Sequence, residues 1–386
     1  ESVIVVVSTM VILIGKHDWL PKHFIIRFIE KLGDYSYSIY LVHWPLFAFA
    51  YLSYVGDIPT MMKTILIIVS ILLGYAQFKY VETPFRVGKF KNLFSSWKVA
   101  FSATIILLAI PVTSAYTTIN VENEFAHIRR VNYGLSDQCA GSFDDSNRLK
   151  SPCSVGEMPS MVIWGDSYAM QLVPGLSVKN KELTQITKSV CGPIVGLAPI
   201  IKKYDSIWAE TCLEFNDIAL DYIRSHQSIT HVVLSSNFSN YLNPNQFNYL
   251  THSGLKEASY ELLVQAFKNT IEELKKLGII PIVFSPLPKT GFNVGECLER
   301  KYGAAILLKA DCNIDNSEHK QYQKIVNIFL KEIEQNTHVV WLKDFICKSE
   351  ICYVDIENTF IYRDSGHLSI AGSLKLLKNI ELNDFR

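Results

Sequence analysis

The decapeptide Ser160-Met-Val-Ile-Trp-Gly-Asp-Ser-Tyr-Ala169 decides how the second half of this 386-residue chain is interpreted. Its apolar run from Met161 to Trp164 predicts a buried strand, which breaks at Gly165 and is followed by a helical pattern. A serine at such a strand-to-helix turn presents its hydroxyl at the mouth of a sheet, among the unpaired N–H groups of a helix start. This place suits a nucleophile that attacks a carbonyl. Gly-Asp-Ser is also common in ordinary turns, so a structural and a catalytic role both stay open here.

Strand-like and helix-like segments alternate from this decapeptide to the C-terminus. The predicted strands are Met161–Trp164, Leu183–Thr187, His231–Ser235, Ile280–Phe284 and His338–Leu342. The predicted helices are Tyr168–Ser177, Ser206–His226, Lys256–Leu277, His319–Gln335 and Ser369–Leu382. This alternation predicts a three-layer α/β domain of flavodoxin-like type, with a parallel sheet between two helical layers. Ligands bind beyond the carboxyl ends of the strands in such folds, and Ser167 falls there.

A second motif, Arg363-Asp-Ser-Gly-His-Leu-Ser-Ile-Ala-Gly372, lies close to the C-terminus. Asp364 and His367 are three residues apart, so the carboxylate can reach Nδ1 of the imidazole and leave Nε2 free as a base. Alone, such a pair is more typical of a cap or a surface ion pair. Gly-Asp-Ser after the first strand and Asp-x-x-His before the last helix together resemble the SGNH hydrolase family of serine esterases and acyltransferases. The resemblance covers roughly residues 159–386, and it implies Ser167 as nucleophile, His367 as general base and Asp364 as orienting carboxylate.

The same resemblance implies an oxyanion hole made from the nucleophile, a glycine and an asparagine. Gly192 stands where the glycine is expected, although an ordinary Gly-Pro turn explains it equally well. The family's Gly-x-Asn-Asp motif is missing. Asn237 has the right distance from the third strand to donate an amide N–H, and Asn240 is the second choice. The oxyanion hole is therefore expected to comprise the Ser167 and Gly192 N–H groups with Asn237.

Several other side chains of this domain carry weaker signals. Tyr168 and Tyr241 are candidates to line a sugar site, and core packing explains them equally well. The remaining histidines are interpreted as surface or element-end residues: His226, His231, His252, His319 and His338. We expect no metal and no bound cofactor, because zinc-ligand spacings and glycine-rich phosphate loops are absent from the sequence.

Charge and cysteine are distributed unevenly along the chain. The net charge of zero argues against a nucleic-acid partner, yet residues 1–118 carry ten Lys and Arg against six Asp and Glu. All eight cysteines lie at or beyond Cys139, which indicates an oxidising compartment for the second part. Proximity predicts pairing in chain order, among many connectivities that the sequence leaves open: Cys139–Cys153, Cys191–Cys212, Cys297–Cys312 and Cys347–Cys352. We expect a membrane part at 1–118, a linker at 119–158 and the α/β domain at 159–386.

Four apolar stretches make the first part a candidate membrane region. They are Ser2–Gly15, Tyr35–Gly56, Thr64–Phe78 and Val99–Thr118. The lengths of the second and fourth suit spanning helices, and the third is marginal at 15 residues unless Tyr80 and Val81 extend it. The first is too short, and we interpret it as the remnant of a helix in a truncated protein. A buried helix of a soluble protein is the alternative for any one of them. Because the two loops rich in Lys and Arg are expected in the cytoplasm, the residues after Thr118 are expected outside it.

Two motifs of this region resemble the end of the membrane acyltransferase-3 family. They are Gly33-Asp-Tyr-Ser-Tyr-Ser-Ile-Tyr-Leu-Val-His-Trp-Pro45 and Glu82-Thr-Pro-Phe-Arg86. These polytopic proteins move acyl groups, usually acetyl, onto envelope polysaccharides. His43 is a candidate membrane-site residue, because a histidine among apolar residues is costly unless it serves a cavity or a partner. A helix-packing histidine bonded to a neighbouring backbone is an equal alternative. The His–Arg motif of the family's first helices is not in this chain.

A membrane acyltransferase-3 segment joined to an SGNH domain resembles bacterial cell-surface O-acetyltransferases. The resemblance implies a multi-pass protein of the bacterial inner membrane with its C-terminal domain in the periplasm. The membrane part would take acetyl from acetyl-CoA, and Ser167 would pass it to an envelope polysaccharide, with lipopolysaccharide O-antigen preferred over peptidoglycan. A deacetylating esterase with the same residues is the second hypothesis. A membrane-anchored, non-catalytic sugar-binding domain is the third.

Overall fold

The computed structural model describes residues 23–54, 58–88, 128–242, 248–302 and 311–381, with isolated helical positions at 6, 10, 101, 102, 104 and 105. The chain divides into two units, Glu1–Val121 and Glu122–Arg386. The division expected at residues 118 and 158 stays a prediction.

The first unit contains two long helices that pack against each other. Helix α1 is Phe24–Ser53, and helix α2 (Thr60–Gln77) continues through a π-helical turn into the short helix α3 (Thr83–Arg86). The two long helices approach closely at Gly74, where a Cβ atom would lie 2.5 Å from Ile39. Glycine is therefore needed at this crossing.

One helix among the described residues, Thr60–Arg86, is long and apolar enough to cross a membrane, judged by length and composition alone. It contains the predicted stretch Thr64–Phe78. Most of the predicted stretches Ser2–Gly15 and Val99–Thr118 lies outside the described residues, and most of Tyr35–Gly56 lies in α1. The multi-pass arrangement stays a prediction.

The second unit is built on a six-stranded, mostly parallel sheet. Its strands are β1 (Ser154–Val155), β2 (Met161–Gly165), β3 (Leu183–Thr187), β5 (His231–Ser235), β8 (Ile280–Phe284) and β10 (His338–Val340). The order across the sheet is β1-β3-β2-β5-β8-β10, and β1 alone among these strands runs antiparallel, at the edge beside β3. The five parallel strands have the 2-1-3-4-5 order of flavodoxin-like folds. The predicted parallel α/β sheet is confirmed, and its five strands begin where the sequence places them.

Further strands and the helices of the second unit complete the described part of this domain. The helices are α4 (Ser167–Met170), α5 (Val173–Leu176), α6 (Ser206–Ser225), α7 (Tyr260–Lys276), α8 (Val294–Tyr302), α9 (Asn316–Tyr322), α10 (Lys324–Ile333), α11 (Lys343–Ile346) and α12 (Ile370–Leu377). The further strands are β4 (Leu197–Ile200), β6 (Asn248–Thr251), β7 (Gly254–Glu257), β9 (Ile314–Asp315), β11 (Cys347–Lys348), β12 (Ile351–Cys352), β13 (Asp355–Ile356) and β14 (Thr359–Phe360). The order β4-β6-β7 forms a second, antiparallel sheet that the sequence reading missed.

The core forms because alternate strand residues meet helices on opposite faces. Val162 and Trp164 of β2 belong to one apolar cluster with residues of α6, α7 and α10, including Phe267 and Phe329. On the other side α4 contacts β2, β3 and β5, and α5 packs on α12. All five residues of β2 are buried, as expected of a central strand in a parallel sheet. The turn at Gly165–Ser167 therefore follows a strand that is buried along its whole length.

Two predicted helices differ from the structure because local capping residues override the periodic pattern. The predicted Tyr168–Ser177 is two short helices, since Pro174 sits in the first turn of α5 and favours a new helix start. The predicted Lys256–Leu277 begins later, because Ser259 caps α7 by accepting from the Leu262 N–H.

The last two predicted helices are also corrected. His319–Gln335 is interrupted at Gln323, which separates α9 from α10. Ser369 is the N-cap of α12, and this helix ends at Leu377 rather than at residue 382. His319, predicted as a surface or element-end residue, is buried with 3% of its surface exposed.

Four disulfides confirm the pairing predicted in chain order. They are Cys139–Cys153, Cys191–Cys212, Cys297–Cys312 and Cys347–Cys352, and no described cysteine is free. The second of them ties the loop after β3 to α6. Such short closed loops restrict the unfolded chain and are each worth roughly 2–4 kcal/mol. Disulfides on this scale are typical of an oxidising compartment.

Candidate active site

The Ser167 turn is fixed by the residues on either side of β2's carboxyl end. Gly165 has a φ of +151°, and a Cβ atom there would lie 2.0 Å from the Ser235 carbonyl oxygen of the neighbouring strand. Asp166 is buried, and its carboxylate accepts hydrogen bonds from the Tyr168 N–H at 2.8 Å and the Ser236 hydroxyl at 2.7 Å. These contacts join the ends of β2 and β5, at the switch point of the strand order.

Ser167, His367 and Asp364 come together in one hydrogen-bonded line. Ser167 Oγ lies 2.8 Å from His367 Nε2, and His367 Nδ1 lies 2.9 Å from Asp364 Oδ2 and 3.0 Å from Oδ1. A carboxylate only accepts, so the ring proton is on Nδ1 and Nε2 is left to accept the serine proton. This is the geometry of a nucleophile, a base and an orienting carboxylate.

Asp364 is held in its ionised form by its surroundings. Burial acts to raise the pKa of this carboxyl, but the hydrogen bond and charge of His367, the Gly366 N–H and the charge of Arg363 together lower it well below its usual value. The backbone N–H groups of Gly366 and His367 both donate to Oδ1, at 2.9 Å and 2.8 Å. The carboxylate is therefore charged and fixed in orientation across the neutral pH range.

The loop carrying Asp364 and His367 is anchored on both sides. The Arg363 N–H donates to the His367 carbonyl at 3.0 Å, which closes the loop. The Leu368 N–H donates to Oε1 of the buried Gln171 at 2.6 Å, so the residue after the histidine is tied to the segment after α4. The Tyr168 ring packs on the imidazole with a centroid distance of 4.5 Å. The segment that follows Ser167 therefore also holds His367 in position.

The expected oxyanion role of Gly192 does not fit the structure. Its N–H donates to the hydroxyl of Tyr241 at 2.6 Å, and its carbonyl accepts from Asn216 at 2.9 Å. Tyr241 itself is 1% exposed, so it belongs to the core and not to a sugar-binding surface. The Gly192 N–H is thus occupied in this arrangement by a hydroxyl that lies far along the chain. The Ser167 N–H, in contrast, has no protein acceptor among the described residues.

Asn237 lies next to the nucleophile turn and keeps its candidate role. Its N–H donates to Asp166 Oδ2 at 3.1 Å, which brings the end of β5 to the end of β2. Its side-chain Nδ2 donates to Asn240 Oδ1 at 3.3 Å, so the first and second choices for the amide donor are paired with each other. Asn237 and Ser167 are both partly exposed, and the cluster opens to solvent.

Lys289 is a site residue that the sequence reading missed. Its Nζ donates to Asn237 Oδ1 at 2.6 Å and lies 4.5 Å from the centroid of the Tyr168 ring. Burial lowers its pKa to about 8, although the charges of Asp166 and Asp364 act to raise it. The sequence feature that could have identified Lys289 is its position in the loop just after β8, at the edge of the sheet where the carboxyl ends of the parallel strands meet.

His43 belongs to the first unit. Its Nδ1 lies 2.8 Å from the Tyr40 carbonyl in the preceding turn of α1, and its ring packs near Tyr40 and Phe47. This contact matches the alternative of a histidine bonded to its own helix. A membrane-site role for His43 stays a prediction.

The sheet order and the Ser167 turn agree with the SGNH class of α/β domains, and the family comparison assigns the second unit to that class. The chain belongs to the family of SGNH domains fused to AT3 domains, whose model matches residues 138–381. The match covers the α/β domain, and the residues before 138 are not part of it.

Curated proteins similar to this chain include a putative O-acetyltransferase of Staphylococcus aureus strain COL, 33% identical over 96 residues, and O-acetyltransferase OatA of Staphylococcus aureus strain NCTC 8325 / PS 47, 33% identical over 86 residues. These alignments cover 25% and 22% of this chain, and 16% and 14% of the two relatives. The similarity thus spans a small part of their length.

A solved structure similar to this chain is the periplasmic domain of a lipopolysaccharide acetyltransferase from Salmonella ser. Paratyphi A. The comparison has a TM-score of 0.45 at 17% identity, and it covers 69% of this chain and 99% of that domain.

Proposed function

We propose that this protein is an O-acetyltransferase that carries the acetyl group on Ser167 and transfers it to a hydroxyl of a cell-envelope polysaccharide. The observation that carries the proposal is the unbroken contact from Ser167 Oγ to His367 Nε2 at 2.8 Å and from His367 Nδ1 to Asp364 Oδ2 at 2.9 Å. Membership of the SGNH family and the O-acetyltransferase names of the similar proteins support the reaction class.

The first half-reaction is acylation of the serine. Ser167 Oγ attacks the carbonyl carbon of an acetyl ester or thioester, and its proton passes to His367 Nε2. The negative charge on the carbonyl oxygen is stabilised by the Ser167 N–H and the Asn237 amide. When the tetrahedral intermediate collapses, the bond to the donor's leaving group breaks, and His367 returns the proton to that group. Asp364 stabilises the imidazolium throughout.

The second half-reaction reverses these roles with a new nucleophile. A sugar hydroxyl gives its proton to His367 Nε2 and attacks the carbonyl carbon of acetyl-Ser167. The bond from this carbon to Ser167 Oγ then breaks, and His367 returns the proton to the serine. The product is an O-acetyl sugar and a free enzyme. A partly exposed triad fits this step, because the acceptor is a polymer that cannot enter a closed cavity.

The acceptor, the donor and the location are part of the proposal. Four disulfides and the family's fusion to AT3 domains support a domain in the periplasm, carried by helices of the bacterial inner membrane. We place acetyl-CoA as the source of the acetyl group, received by the membrane part, and lipopolysaccharide O-antigen as the acceptor. Peptidoglycan is the alternative acceptor.

A deacetylating esterase is a second candidate with the same triad. The observation in its favour is that the imidazole and the carboxylate are both partly exposed, with 21% and 27% of their side-chain surfaces accessible. Water can therefore reach acetyl-Ser167 and compete with the sugar hydroxyl. Given the same acetyl donor, the two reactions differ in the second half-reaction, where water rather than a sugar hydroxyl attacks acetyl-Ser167.

The test uses the purified full chain in detergent micelles, p-nitrophenyl acetate as donor and a soluble O-antigen polysaccharide as acceptor. S167A is expected to lose acylation by at least roughly 10³-fold, because no other group replaces the nucleophile. S253A is the matched control, since Ser253 is an exposed serine of the β6–β7 turn. Undiminished acylation in S167A overturns the triad assignment.

The product then separates the two reactions. Acetylated polysaccharide is expected in excess over the acetate released without acceptor. Release of acetate at the same rate with and without acceptor, and no acetylated sugar, selects the esterase. A non-catalytic sugar-binding domain predicts neither acylation nor labelling of Ser167 by a serine-reactive phosphonate.

A further inference from the structure

The backbone around Lys289 is fixed by buried groups that take no part in the triad. The Lys289 N–H donates to Gln323 Oε1 at 2.9 Å, and the preceding carbonyl, that of Pro288, accepts from the hydroxyl of Tyr362 at 2.7 Å. Gln323 is 5% exposed and sits where α9 gives way to α10. The break in this helix pair therefore serves to hold the loop after β8.

The lysine side chain runs from this loop to the nucleophile turn. A Cβ atom on Gly366 would lie 2.4 Å from Lys289 Cε and 2.8 Å from the Tyr168 hydroxyl, so the residue beside His367 must be small. The ammonium group ends over the Tyr168 ring and donates to Asn237 Oδ1 at 2.6 Å. Lys289 therefore contacts Tyr168 next to the serine, Gly366 next to the histidine, and Asn237, the candidate amide donor.

We infer that Lys289 is a positioning residue that fixes the Asn237 amide with its NH2 group turned to the acyl oxygen. This inference rests on the proposed acyl transfer. An ammonium group donates hydrogen bonds and accepts none, so it selects the oxygen of the amide as its neighbour. The NH2 group must then occupy the other side.

The rest of the amide's environment fits this role. One N–H of Asn237 Nδ2 has Asn240 Oδ1 as its acceptor, and the second has no acceptor among the described residues. That second N–H is the one available to an oxyanion. The positive charge of the ammonium group beside the amide oxygen also polarises the amide and strengthens its N–H groups as donors. Without Lys289 the amide can rotate and present its oxygen, which repels the oxyanion instead of stabilising it.

The experiment is a double-mutant cycle on the full chain in detergent micelles. The variants are K289M, N237A and the double variant, and the readout is the rate of Ser167 acylation by p-nitrophenyl acetate. K331M is the matched control, because Lys331 is an exposed lysine of α10. We expect K289M to lose roughly 10- to 100-fold in kcat/KM through kcat, below the 10²- to 10³-fold cost of losing a whole oxyanion donor.

The cycle separates positioning from other roles. If Lys289 acts through Asn237, the double variant retains the rate of N237A within about twofold, because the amide to be positioned is gone. Losses that multiply overturn the inference, and so does a K289M rate equal to that of K331M. K289R is expected to recover most of the K289M loss, since guanidinium also donates without accepting.

Two further arms keep the inference testable. If K289M does not fold, judged by its melting temperature against K331M, the cycle is run with K289Q, whose amide can donate or accept and so no longer dictates orientation. S167A distinguishes the two proposals. Acylation that requires Ser167 but not Lys289 overturns the positioning role alone, whereas acylation in S167A overturns the proposed function itself.

Discussion

Replacing Asp364 by asparagine tests whether the carboxylate of Asp364 fixes the tautomer of His367. The backbone N–H groups of Gly366 and His367 both point at Oδ1, at 2.9 Å and 2.8 Å. The amide oxygen of D364N must therefore stay at this position, because the NH2 group cannot accept these bonds. The NH2 group then takes the Oδ2 position, 2.9 Å from His367 Nδ1.

The consequence is a change of tautomer. The amide oxygen at the Oδ1 position also lies 3.0 Å from Nδ1, but it already accepts two backbone N–H bonds, so we expect the NH2 group at the shorter contact to donate to Nδ1. The ring proton then moves to Nε2 and faces Ser167 Oγ, which has no base. A wrong tautomer of this kind costs roughly 10⁴-fold in rate, or about 5 kcal/mol in activation free energy. The variant also loses the charge that stabilises the imidazolium. We expect the fold to be retained, because the backbone bonds to the remaining oxygen persist.

The assay is single-turnover acylation of the full chain by p-nitrophenyl acetate at pH 7, with D344N as the control at an exposed aspartate of α11. A D364N rate within about tenfold of the parent refutes the reasoning, since it would mean that the carboxylate does not set the tautomer.

Three further predictions follow from the same contacts. G165A should lower the free energy of unfolding by about 3 kcal/mol or more in denaturant titrations, because its Cβ meets the Ser235 carbonyl and its φ of +151° is strained; a loss below about 1 kcal/mol contradicts this. Burial lowers the pKa of His319 to about 4, so between pH 6.5 and 4 the unfolded chain binds a proton that the folded chain does not. The free energy of unfolding should therefore fall by about 3 kcal/mol as the pH drops through this range, and H319L should remove this dependence in denaturant titrations. The Lys289 pKa of about 8 predicts that acylation declines above this pH, and K289R, which stays charged, should keep its rate there.

The sequence identifies those features whose signals are local. The β2 strand is a short β-branched and aromatic run that ends in glycine. In an alternating α/β pattern, such a run predicts a buried strand. Ser167 sits directly after this strand, at the edge of the sheet where ligands bind in such folds, and the Asp364–His367 pair stands just before the last helix. The disulfides join cysteines that are close in sequence, so loop closure favours their pairing.

Features that depend on distant side chains escape sequence reading. The N–H of Gly192 fits the oxyanion pattern, yet it is occupied by the hydroxyl of Tyr241, 49 residues away along the chain. Lys289 reaches Asn237 from a separate loop, and the sequence around either residue gives no indication that the two are in contact. The β4-β6-β7 sheet is missed because its strands are short and mixed in pattern. Each case turns on which side chains meet after folding, which spacing does not encode.

The mass of the trapped acyl-enzyme is the most direct test of acetyl transfer through Ser167. The full chain is mixed with p-nitrophenyl acetate, quenched in acid and digested, and the peptides are analysed by mass spectrometry. We expect one added acetyl group on the peptide that contains Ser167, and we expect its loss when O-antigen polysaccharide is added before the quench. Turnover without acetylation of this peptide would contradict the role of Ser167 as the acetyl carrier.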